Sequence, residues 1–142
     1  MKLSDWASSE GVISYSPFLC GKRKNKQNWW VVVECDPEIG KYYRKLYHIS
    51  KLRSDKLMRP AWKEHITVVR NEEPESLFKS IWGRYEGKIV PFEYCLISQS
   101  DLLFTWLNIK CEFLLNIREE LGLARNPIFP LHMTIGNKKW DV

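Results

Sequence analysis

Two of the three histidines in this chain are each followed two residues later by a threonine, at His65-Ile66-Thr67 and His132-Met133-Thr134, although the chain has only three threonines. Each pair lies in a short apolar run, His65 to Val69 and Leu131 to Ile135, and runs this rich in β-branched residues read as strands. Residues i and i+2 of a strand share one face. Each run therefore turns an imidazole and a hydroxyl to one side and Ile66 or Met133 to the other, the core side. A fold that suits this chain has to bring two such strands, 67 residues apart, to a common surface.

The rest of the chain supplies elements to frame them. A strand is expected over Gly11 to Phe18, followed by the charged loop Lys22 to Lys26, and a second, clearer strand over Trp29 to Cys35. Asp36-Pro37 closes that strand, and Ile39, Tyr42, Tyr43, Leu46, Tyr47 and Ile49 then recur at helical spacing, predicting a helix from Glu38 to Ser50. Glu75 to Trp82 reads as a short helix. Lys88 to Ser98 and Leu102 to Ile109 form a hairpin around Gln99-Ser100-Asp101, and Glu112 to Leu123 reads as a last helix ending at Gly122. The order β, β, α, β, α, β, β, α, β predicts antiparallel sheets with helices on their outer faces. The half-chain spacing of the motifs suggests two related halves, without a clear repeat outside them.

At 142 residues the chain is expected to be one domain, and its net charge of +5 draws it to anionic partners, of which nucleotides and nucleic acids are the commonest. The four cysteines show no paired spacing and Met1 opens a polar segment, so a reduced, cytoplasmic setting is expected. No structural zinc spacing and no His-Glu-x-x-His helix is present, and the chemistry is expected to need neither metal nor cofactor.

Histidine is the side chain that gives or takes a proton near neutral pH. In a phosphodiester displacement one neutral imidazole can take the proton of the attacking hydroxyl while the other, as imidazolium, protonates the leaving oxygen. The hydroxyls of Thr67 and Thr134 would hold the non-bridging phosphate oxygens. His65, Thr67, His132 and Thr134 are thus the candidate catalytic set. His48, without a partner motif, reads as a structural histidine.

These four residues resemble the signature of the two-histidine (2H) phosphoesterase superfamily, a pair of His-x-Thr/Ser motifs facing each other across a cleft. The stretches Trp30 to Tyr43 and Arg59 to His65 look like the small phage-encoded branch, described as RNA-repair-like and including nucleases that open the cyclic oligonucleotides of the bacterial CBASS immune system. The resemblance implies an α+β, bilobal fold with a central cleft, a single domain over residues 1–142 made of two pseudo-symmetric lobes. It implies cleavage of 3′–5′ linkages in a cyclic dinucleotide or oligonucleotide, in the host cell cytoplasm for a phage-encoded protein. Two alternatives stand beside it: opening of 2′,3′-cyclic phosphates at RNA ends, and a sponge that binds cyclic nucleotides without cleaving them. No membrane or protein partner is expected.

Aromatic and basic residues near the motifs extend the candidate site. Tyr15, Trp62 and Trp140 are candidates to stack on bases, and Lys138 to attract phosphate, whereas Trp29, Trp30, Trp82 and Trp106 are expected to pack within strands and helices. Arg70 and Asn137 each stand three residues after a motif threonine, placed to touch phosphate or to cap a strand end.

Overall fold

A computed structural model describes residues 5–16, 29–51, 57–60 and 63–138. The elements in chain order are β1 (Trp6–Tyr15), β2 (Trp30–Glu34), α1 (Pro37–Ser50), β3 (His65–Arg70), a 3-10 helix (Ser76–Ile81), β4 (Ile89–Cys95), β5 (Gln99–Ser100), β6 (Phe104–Lys110), α2 (Glu112–Glu120) and β7 (His132–Asn137). Local chemistry explains the helix ends. Asp36 caps α1 by accepting from Glu38 N at 2.9 Å, and Pro37 occupies the first turn, where its missing N–H costs nothing. Gly122, at φ +78°, ends α2 as the sequence implies, with Leu123 N donating to the Arg118 carbonyl at 3.0 Å and Gly122 N to that of Glu119 at 2.9 Å. A tight turn does form here, but a little further on than expected: Gln99 and Ser100 are strand β5, paired with β6, and the turn is Asp101 to Leu103, where Asp101 Oδ1 accepts from Leu103 N and Phe104 N at 2.8 and 2.7 Å.

The strands run β4-β1-β2-β3-β7-β6, all neighbours antiparallel, and β4 also pairs with β6. That last pairing closes a six-stranded barrel, with β5 an extra strand on β6. The architecture is mostly β, and the expected bilobal α+β fold with a central cleft is not what forms. The reason is the length of β1 and β4. They pair over seven positions, from Trp6↔Cys95 to Val12↔Ile89, and join the two halves on the side away from the motifs, where separate sheets would have parted.

The two halves are nevertheless related, and the registers show how. Across β2 and β3 the partners are Glu34↔His65, Val33↔Ile66 and Val32↔Thr67, then Val31↔Val69 and Trp30↔Arg70 after a shift that leaves Val68 as the extra, bulged residue. Across β6 and β7 they are Asn108↔His132, Leu107↔Met133 and Trp106↔Thr134, then Thr105↔Gly136 and Phe104↔Asn137, with Ile135 extra. The patterns match position for position, including the bulge after each threonine. β3 and β7 meet at Ile66↔Met133, so a two-fold axis between those residues exchanges β2 with β6 and β3 with β7. The β1–β4 ladder obeys the same axis.

The core gathers on the side of the motif strands opposite the histidines. Ile66, Val68 and Met133 pack with Ile13, Val31, Val33 and, from α2 and its C-cap, Leu114, Ile117 and Leu121, while Ile135 and Leu107 pack with Tyr43 of α1. Each of these is at most 8% exposed, and burying a side chain of this size contributes roughly 1.5–3 kcal/mol. Among the described residues no helix is long and apolar enough to cross a membrane.

Candidate active site

Strand alternation keeps His65 and Thr67 on one face of β3 and His132 and Thr134 on one face of β7, with buried Ile66, Val68, Met133 and Ile135 on the other. The Ile66↔Met133 register then sets His65 across from Thr134 and Thr67 across from His132. Opposed positions in such a pair have Cβ atoms about 4.5–5.5 Å apart and diagonal ones about 7–8 Å apart. The two histidines lie on one diagonal and the two threonines on the other. All four motif residues thus converge on one surface.

Both rings are held in the same way. His65 Nδ1 is 2.9 Å from the Lys63 carbonyl and His132 Nδ1 is 2.8 Å from the Pro130 carbonyl, in each case two residues upstream. A carbonyl oxygen only accepts, so each Nδ1 carries a proton, and Nε2 is the nitrogen through which each neutral ring exchanges one. Burial pushes the His65 pKa below its ordinary value of 6.5, and the charges of His132 and Arg70 push it the same way, against the opposing pull of the Lys63 carbonyl and Glu64. At neutral pH His65 is therefore an uncharged ring, fit to accept a proton.

The neighbouring strands widen this surface with residues that sequence reasoning left out. Trp106 stands across from Thr134 and lies edge-on to the His132 ring, centroids 6.4 Å apart, with its indole Nε1 donating to Asn108 Oδ1 at 3.2 Å. It is half-buried on the site face rather than packed in the core, which corrects the expectation for it. Asn108 stands across from His132, and Glu34, 2.8 Å from Lys63 Nζ, across from His65. Arg70 is exposed at the end of β3 with its guanidinium 5.3 Å from the Trp30 ring.

The substrate-binding candidates fare less well than the motifs. Tyr15 is 5% exposed, paired with Val31 on the core face, edge-on to Trp82 at 5.1 Å, with its hydroxyl accepting from Tyr85 N at 3.4 Å. It belongs to the core and not to the site, because its position opposite buried Val31 turns the ring inward. Lys138 is tied to the β5–β6 turn, its Nζ donating to the Asp101 carbonyl at 2.8 Å. Trp62 and Trp140 lie outside the described residues, as do the loop Lys22 to Lys26 and most of Lys51 to Arg59. His48 is structural, its Nε2 accepting from Leu57 N at 3.0 Å. Among the described residues no group of three or more His, Cys, Asp or Glu side chains is placed to hold a metal ion.

One signal in the sequence would have revealed the relation of the halves. Arg59-Pro60-Ala61-Trp62-Lys63-Glu64-His65-Ile66-Thr67-Val68-Val69-Arg70 aligns without gaps on Asn126-Pro127-Ile128-Phe129-Pro130-Leu131-His132-Met133-Thr134-Ile135-Gly136-Asn137. A proline five residues and an aromatic ring three residues ahead of each histidine repeat, beyond the motifs themselves. Comparison of the chain with protein-family models, with curated proteins and with solved structures finds no match.

Proposed function

We propose that this protein is a phosphodiesterase working by two-histidine general acid–base catalysis without a metal, and that its substrates are cyclic oligonucleotides of the kind bacteria use as immune signals. The observation that carries the reading is the pairing of two His–Thr faces across one axis, each imidazole fixed by a backbone carbonyl at its Nδ1. A protein that only binds nucleotides has no use for two matched proton-transfer groups. The substrate's 2′-hydroxyl gives its proton to His65 and attacks the adjacent phosphorus. The bond to the 5′-oxygen breaks as His132, protonated, donates to it, and a 2′,3′-cyclic phosphate forms. Thr67 and Thr134 donate to the non-bridging oxygens as charge builds on them. Trp106, beside Thr134, offers a ring on which a base can stack, and the net charge of +5 favours the approach of an anionic substrate. The choice of a cyclic immune signal rests on the resemblance of Trp30 to Tyr43 and Arg59 to His65 to the phage-encoded branch.

The test is to incubate purified protein with cyclic dinucleotides, cyclic trinucleotides and RNA ending in a 2′,3′-cyclic phosphate, in excess EDTA, and to identify products by mass spectrometry. Opening of a cyclic oligonucleotide, abolished in folded His65→Ala and His132→Ala, is the expected result. Faster processing of the RNA end makes the enzyme an RNA-end phosphodiesterase instead, and recovery of every ligand intact leaves a binding protein.

A further inference from the structure

Each of the two bulges that follow the threonines is gripped by an arginine from the opposite half of the molecule. Arg44 of α1, in the first half, donates from Nη1 to the Ile135 carbonyl of β7 at 2.8 Å. Arg118 of α2, in the second half, donates from Nη1 to the Val68 carbonyl of β3 at 2.9 Å. Val68 and Ile135 are the extra residues of the bulges, each directly after its threonine and each 1% exposed. A bulge takes its residue out of the ladder, and a buried carbonyl left without a donor costs about 1–3 kcal/mol.

Arg44 does more than satisfy a carbonyl. The same Nη1 lies 2.6 Å from Oε2 of Glu64, which is 3% exposed and immediately precedes His65. One guanidinium nitrogen thereby joins the residue before His65 to the residue after Thr134, and these two motif residues face each other across the axis. Gly40, one turn earlier on α1, makes this possible, because any Cβ there would overlap the Glu64 carboxylate. Arg118 is equally fixed: Glu72 accepts from its Nη1 and Nη2 at 2.7 and 2.9 Å, and the Ala124 carbonyl from its Nε at 2.7 Å.

We propose that Arg44 and Arg118 are a crossed pair of positioning residues, each holding from the opposite half the backbone behind one motif threonine, and so setting the spacing between the two His–Thr faces. Neither side chain reaches the site face, and the role rests on the phosphodiesterase reading only for its effect on turnover. Arg118 uses its full fork, Nη1 and Nη2 on Glu72 and Nε on Ala124, while Arg44 reaches both acceptors from one Nη1; a lysine ammonium keeps the charge but ends one bond short of Nη1 and has no fork.

Arg44→Lys and Arg118→Lys test it at a temperature where circular dichroism shows both folded. Each should lower kcat by about 10²-fold, the scale of an ångström-sized misplacement, with KM within about twofold because the groups that touch substrate remain. A second readout needs no turnover: in the wild-type protein, inorganic phosphate should shift the imidazole ¹⁵N resonances of His65 and His132 along one common saturation curve, and in Arg44→Lys the two curves should separate. A folded Arg44→Lys protein with wild-type kcat, a change in KM alone, or unseparated phosphate curves would overturn the proposal. If Arg44→Lys does not fold, Arg118→Lys, which loosens the other bulge, is read by the same two criteria. Should the wild-type protein turn over no substrate while the phosphate curves separate as described, the phosphodiesterase reading falls and the positioning role stands.

Discussion

Ile66 and Met133 are Cα partners at the point where β3 and β7 meet, both fully buried, and each is the middle residue of its own motif. They are the apolar reverse of the candidate site. Whatever they pack against fixes the mutual placement of the histidines and threonines on the other side of the same two strands.

Met133→Ala should therefore cost about 2–5 kcal/mol in urea denaturation, the usual penalty for emptying a core position of this size. Met133→Leu, which conserves volume, should cost less than about 1.5 kcal/mol. Equal losses for the two would show that the axis is not tightly packed.

The pH profile follows from His65. Its pKa lies below 6.5 mainly through burial, and as the base it works only when neutral. Activity should rise as pH increases through this lowered pKa and be fully developed on that limb by neutral pH. A kcat/KM profile whose acid limb has its midpoint above pH 6.5 would assign the base elsewhere.

The threonine hydroxyls are expected to act in the transition state. Thr67→Val and Thr134→Val, which keep shape and remove the donor, should each lower kcat by about 10²–10³-fold, as loss of one oxyanion donor does elsewhere. Thr→Ser at either position should restore most of it. Steady-state kinetics on the four variants decide the matter.

Glu72 ties acid stability to Arg118. The hydrogen bonds from that guanidinium hold its carboxyl below the ordinary value of 4.5, so the stabilisation is present above that value and is lost as pH falls through the lower, folded pKa. Glu72→Gln should lower stability at neutral pH and flatten the loss between pH 5 and the folded pKa, measured by chemical denaturation across that range.

Much of the local structure was legible in the chain because it depends on neighbours in sequence. Asp36-Pro37 starts a helix and Gly122 ends one through short-range sterics and capping, and the i, i+2 spacing of His65 with Thr67 is enough to place both on one face. The closure of the barrel was not legible. It depends on β1 pairing with β4 some eighty residues on, and on β4 reaching β6, and no periodicity encodes which strand edges meet. The same limit explains Tyr15 and Trp106, which were assigned to the wrong sides. A ring in a strand can face either way, and only the pairing of that strand with its neighbours, Tyr15 opposite Val31 and Trp106 opposite Thr134, decides which. Arg44 and Arg118 escaped notice because charged residues on helices usually face water, and only tertiary contact shows these two turned inward.

The axis through Ile66 and Met133 makes the two halves depend on each other. Its contacts, β3 on β7 and β1 on β4, are of the self-complementary kind found where two identical subunits associate. The molecule has the form of a homodimer within one chain, so a solitary half would own a single motif imidazole and a single motif hydroxyl, with both seams bare. The halves are not identical at this seam: Val32 in one corresponds to Trp106 in the other and Glu34 to Asn108, which gives an otherwise even-handed surface a left and a right.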